Sequence, residues 1–93
     1  MRIKFKVIEF KSYPYHWELT RDGKKKFDLR LIDNNDPRFR ALSRWQPGYE
    51  NWLIKLVNTA TGEYLYYKID DLRWSQPAEG WLIIMLGKQI KEE

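Results

Sequence analysis

A mostly β fold, all-β or α+β, is what this sequence predicts: a small antiparallel sheet or partly closed barrel of five to six strands, with one short helix near residues 37–45. Three observations lead there. Apolar and polar residues alternate with period two through much of the N-terminal half. Isolated glycines in polar segments separate runs rich in β-formers. Only one stretch, residues 36–46, carries both a helix start and a helix stop.

The first strand is expected near the N-terminus, where Ile3, Phe5 and Val7 alternate with Arg2, Lys4 and Lys6. Val7-Ile8 breaks that phase and Phe10 continues the phase of Ile8, so a bulge or bend is expected around residues 7–9. Pro14 has to lie outside this strand. A hairpin is expected next. Tyr15, Trp17 and Leu19 share one face and Phe27, Leu29 and Leu31 another, with Asp22-Gly23 turn chemistry between them. Pairing Leu19 with Phe27, Trp17 with Leu29 and Tyr15 with Leu31 joins the apolar faces and sets Glu18 opposite Asp28.

Asp36 is a proper N-cap, Pro37 suits the first helical position, and Pro47-Gly48 ends the segment. Phe39, Leu42 and Trp45 recur every three residues as a stripe that would meet the sheet. Residues 52–57 fit a helical period, but Asn58 to Gly62 reads as a hairpin loop into the β-rich run 63–69, which favours two strands. Ser75 to Gly80 reads as a further turn. Trp81 to Leu86, apolar on both faces, reads as a central, fully buried strand. The tail from about residue 88 is expected to fray.

Residues 1–93 fit a single compact domain, since a chain of this length buries somewhat more than about 60 % of its unfolded surface. With no cysteine, disulfides and thiolate zinc sites are excluded. No apolar run approaches the ~20 residues of a membrane span. The alternating N-terminus lacks the continuous apolar core of a signal peptide, so a soluble, cytoplasmic protein without a membrane partner is expected.

Catalytic and metal signatures are sparse. His16 is the single histidine and is expected on an outer strand face, which leaves little for nucleophilic catalysis. The five glycines stand apart and build no phosphate cradle. Asp33-Asn34-Asn35-Asp36 resembles the start of a calcium loop but lacks the later glycine and bidentate glutamate. The expectation is therefore a non-enzymatic protein with no metal and no cofactor.

Charge points to a binding role. The net charge is +4, made of +6 in residues 1–46 and −2 in residues 47–93. Arg2, Lys4 and Lys6, the tip Lys24, Lys25 and Lys26, and the helix residues Arg40 and Arg44 supply cations able to neutralise phosphates. Tyr64 and Tyr66 alternate with Lys68, a pattern able to stack bases and hold a backbone. These residues form the candidate nucleic-acid-binding set, with low sequence specificity. Each also has a plainer explanation in solvation, edge protection or packing. The alternative is a protein-binding accessory or inhibitor module using a Trp/Tyr-rich surface, which could equally meet an acidic protein. Tyr13, Trp45, Tyr49 and Trp74 sit in loops or at element ends and are the aromatics expected to be exposed, although Trp45 also belongs to the helical stripe.

Overall fold

The computed structural model describes residues 4–75 and 80–91. Arg2, Ile3 and most of the expected Ser75–Gly80 turn lie outside them. The elements in chain order are β1 (Lys6–Ser12), α1 (Pro14–Arg21), β2 (Phe27–Leu31), α2 (Pro37–Leu42), β3 (Trp52–Asn58), β4 (Tyr64–Trp74) and β5 (Trp81–Ile90). The five strands form one sheet in the order β1-β3-β4-β5-β2, curled into a half-barrel. The mostly β class and the five strands agree with the sequence. The pairing is mixed rather than wholly antiparallel, because β1 runs parallel to β3 while the other pairs are antiparallel.

The expected hairpin is replaced by a helix. Pro14 opens α1, where its missing N–H would be unpaired in any case. Asp22-Gly23 then works as a helix stop. Gly23 takes φ 76°, its N–H donates to the Thr20 carbonyl, and the Lys24 N–H donates to the Leu19 carbonyl. These two bonds form a Schellman motif. Trp17 and Thr20, three apart, are the buried residues of α1. The Trp17 Nε1–H donates to the Leu56 carbonyl (3.1 Å) and the Tyr67 hydroxyl to the Thr20 carbonyl (3.2 Å), pinning the helix to the sheet. Burial also pushes the Tyr67 phenol above its ordinary pKa.

The second helix follows expectation. The Asp36 carboxylate accepts the Arg38 backbone N–H (2.9 Å) and pairs with its guanidinium. Those side-chain and backbone donors of Arg38 hold Asp36 below the ordinary carboxylate pKa. Phe39, Leu42 and Trp45 are all buried, so Trp45 leaves the set of expected exposed aromatics. They join Trp17 and the inward residues Ile8, Phe10, Ile54, Leu56, Tyr67, Ile69, Leu82 and Ile84 in one core. Both helices thus fill the concave side of the half-barrel.

Outside β2, the strands differ from expectation at three places. Among the described residues core contact begins at Ile8, and Phe5 and Val7 are 41 % and 44 % exposed. In β5 only one face is fully enclosed: Leu82 and Ile84 are buried while Trp81 is 39 % exposed. The C-terminal stretch continues β5 to Ile90, with Gln89 opposite Tyr67 and Ile90 opposite Tyr66. Between them and the rest of the ladder lie two register shifts of opposite sense, one extra residue on β5 near Gly87 and one on β4 near Asp70. Such bulges bend and twist a strand and here accompany the curl. A Cβ on Gly87 would lie 3.2 Å from the Lys68 carbonyl oxygen, which explains glycine at this bulge.

Two buried tryptophans differ in one bond. Trp17 donates to Leu56, whereas the Trp45 Nε1–H has no partner among the described residues. Trp17→Phe should therefore destabilise by about 1–2 kcal/mol more than Trp45→Phe, because only the first removes a made hydrogen bond. Urea unfolding of the two variants checks this, and equal losses would contradict it.

Candidate functional site

The site begins with an inversion in β2. Alternation predicts Phe27, Leu29 and Leu31 facing the core, yet they are 43 %, 46 % and 62 % exposed, while Asp28 is 5 % exposed. The inward residues are Asp28 and Arg30, which form an ion pair with a second contact of 3.2 Å from Arg30 Nη2 to Asp28 Oδ1. The Arg30 guanidinium lies 4.8 Å from the Phe10 ring centroid and that of Arg38 lies 4.4 Å from it, both within cation–π range. Arg30 thereby reaches from one edge strand to the other across the mouth of the half-barrel.

The outward row of β2 continues into β5. Phe27 is opposite Met85, Leu29 opposite Ile83 and Leu31 opposite Trp81. Opposed residues in an antiparallel pair share a face, so these six apolar side chains lie on one face, with Phe27, Leu29, Leu31 and Trp81 exposed and Ile83 and Met85 half-buried between them. The backbone of this strand is available too. The Leu86 N–H donates to the Lys26 carbonyl and the Ile32 N–H to the Gly80 carbonyl. Lys26, Asp28, Arg30 and Ile32 therefore turn their backbone groups towards β5. Phe27, Leu29 and Leu31 turn theirs to the free edge, where no described residue takes them up. Alongside this edge runs a cleft of about 400 Å³, with Lys11, Ser12, Tyr13 and His16 on the far wall. The other edge strand, β1, is partly covered, since Arg38 donates to the Glu9 carbonyl (2.7 Å).

The expected nucleic-acid set is only partly assembled. Tyr64, Tyr66 and Lys68 do share the convex face of β4, and the Tyr64 and Tyr66 rings meet edge to face at 5.5 Å. Lys55 of β3, absent from the expected set, stands opposite Tyr66 and lies 4.4 Å from the Tyr64 ring and 5.8 Å from that of Tyr66. Desolvation pulls its ammonium pKa down, and Tyr66, Glu9 and Tyr64 together outweigh it and hold the group above its ordinary value. Lys55 is the direct cross-strand partner of Glu9 and pairs with it at 3.5 Å; that position is the signal that finds Lys55, and it needs the β1–β3 pairing to be known. Lys68 is engaged by Glu50 (3.0 Å).

The remaining cations are dispersed. Lys4 precedes β1 and Lys6 lies over the Trp52 ring (5.3 Å). Lys24, Lys25 and Lys26 occupy the α1–β2 connection rather than a hairpin tip, and Lys25 lies 3.5 Å from His16 Nδ1. Arg40 and Arg44 are exposed, on and just after a helix that packs on the sheet face opposite Tyr64 and Tyr66. His16 is exposed as expected, although on a helix. No group of metal-ligating side chains occurs among the described residues, and none of their helices is long and apolar enough to cross a membrane. No protein-family model matches this chain, and no curated protein sequence matches it.

Removing one partner of an enclosed ion pair leaves the other charge uncompensated. Asp28→Leu alone should thus cost on the order of 3 kcal/mol, while Asp28→Leu with Arg30→Met should recover most of it. Chemical denaturation of both variants measures the difference, and an equally damaged double variant would show that the pair itself is not what holds β2.

Proposed function

We propose that this protein is a non-enzymatic docking module that takes up an extended protein segment along the free edge of β2. The observation that carries this reading is the coincidence of unpaired backbone groups and exposed apolar side chains on Phe27, Leu29 and Leu31. β2 is short and carries inward-pointing charges, two of the devices that limit edge pairing, but it has no proline and, among the described residues, no cover along its free edge. Here the outward row is apolar, and backbone pairing with apolar anchoring is how a sheet edge binds a strand. Trp81 lies within the patch and is a residue type that concentrates binding energy, and Phe27 beside it is of a type enriched in interfaces. Selection of random twelve-residue peptides on the immobilised protein should enrich sequences that protect the Phe27, Leu29 and Leu31 amides from exchange. Leu29→Lys should weaken those peptides at least tenfold, and unchanged binding would move the docking surface elsewhere.

A second reading rests on the Tyr64–Tyr66–Lys55 cluster, whose aromatic faces and cation suit stacking of single-stranded bases. Lys24, Lys25 and Lys26 would add phosphate contacts without base information. Titration with single-stranded and duplex oligonucleotides across a salt series tests it. Tyr66→Ala should cost ~1–3 kcal/mol on single strands and little on duplex. No affinity even at low salt would remove this reading.

A further inference from the structure

We propose that the segment received by this edge is β2 of a second copy of the same chain, paired antiparallel about a two-fold axis at Leu29. The inference rests on the docking reading above and names its partner. In that register Leu29 meets Leu29 of the second copy, Phe27 meets Leu31, and Asp28 meets Arg30. The residues with free backbone groups, Phe27, Leu29 and Leu31, oppose one another, as a hydrogen-bonded antiparallel ladder requires, and can exchange about six bonds. The outward rows of the two copies join into one apolar strip. On the inner face each Asp28 gains the second copy's Arg30 as cross-strand neighbour, an opposite-charge pair. Just outside the strand, Lys25 comes opposite Asp33.

Competing registers are selected against by charge. Sliding one strand by two residues in one direction opposes Asp28 to Asp28 and Lys26 to Arg30. Sliding it the other way opposes Arg30 to Arg30. Like charges directly opposite are destabilising, so the sequence Lys-Phe-Asp-Leu-Arg-Leu is self-complementary in the Leu29-centred register alone of the three. A five-residue strand with one apolar row is a small contact beside the roughly 800 Å² per partner of a standard interface. Association is accordingly weak and concentration-dependent.

The chain has no cysteine, which makes site-directed crosslinking clean. Opposed Cα atoms in a hydrogen-bonded pair lie about 5.5 Å apart, inside the disulfide range of roughly 4.4–6.8 Å. Leu29→Cys should form a covalent dimer under mild oxidation. Leu31→Cys alone should not, because its two copies would be about 13 Å apart along the strands. A mixture of Phe27→Cys and Leu31→Cys chains should crosslink to each other. All three positions are exposed, and circular dichroism verifies that each variant folds. In sedimentation equilibrium the wild-type mass should rise with concentration, and Leu29→Lys should shift that rise at least tenfold upwards. A wild-type mass that stays monomeric to millimolar concentration overturns the inference, as does Leu31→Cys crosslinking as readily as Leu29→Cys. Self-pairing would then fail while selected peptides could still bind β2, whereas the docking reading fails only if Leu29→Lys leaves those peptides bound.

Discussion

The contact of the Asp28–Arg30 pair with Phe10 sets the arrangement of everything around it. Phe10 is among the most enclosed side chains of the core and belongs to one edge strand; Arg30 belongs to the other. Two charged residues in the inward positions of β2 are costly to enclose unless paired, and their mutual contact meets that condition. The guanidinium then supplies a flat cationic face that an aromatic ring accepts. Once these two positions point inward, the strand's period of two obliges Phe27, Leu29 and Leu31 to point outward. The exposed apolar row is therefore the geometric complement of an enclosed ion pair.

The same contact accounts for a half-barrel that does not close. β1 and β2 share no ladder, and Arg30 bridges part of the distance between them with a side chain instead of backbone bonds. The helices fill the concavity beneath, through Trp17 on one side and Phe39, Leu42 and Trp45 on the other. One edge is partly capped by Arg38 while the other remains open. That asymmetry, more than the overall basic charge, directs attention to β2.

Local chemistry made much of this legible from sequence. Asp36-Pro37 marks α2 because cap and first-turn proline act within three residues of each other. Asn58 to Gly62 marks the β3–β4 turn for a similar reason, and Gly62 does take φ 77° there. Where two local readings compete, tertiary contacts decide. Tyr15, Trp17 and Leu19 satisfy a period of two, but Trp17 and Thr20 satisfy a helical spacing, and the bond from Trp17 to Leu56 spans thirty-nine residues. Asp22-Gly23 serves a helix end as well as it serves a hairpin. The facing of β2 could not be read at all from hydrophobicity, since it depends on Asp28 finding Arg30 and Arg30 finding Phe10. Of the candidate binding residues, Tyr64, Tyr66 and Lys68 shared a face because alternation within one strand is local. The cations of the N-terminal half scattered because they lie on separate elements.

The paired bulges of β4 and β5 carry a consequence for how this chain can change its length. The extra residue near Gly87 and the one near Asp70 shift the register in opposite senses, so pairing on either side of them falls into the same phase. Losing a single residue at one bulge would leave the other uncompensated. Everything beyond it would be turned over, bringing Tyr66 towards the helices and Tyr67 towards water. Deletions in these two strands are therefore coupled: the sheet accommodates both together or neither. Variation in length is left to the connections, and the two longest strands are held to a joint residue count although nearly twenty positions separate Asp70 from Gly87.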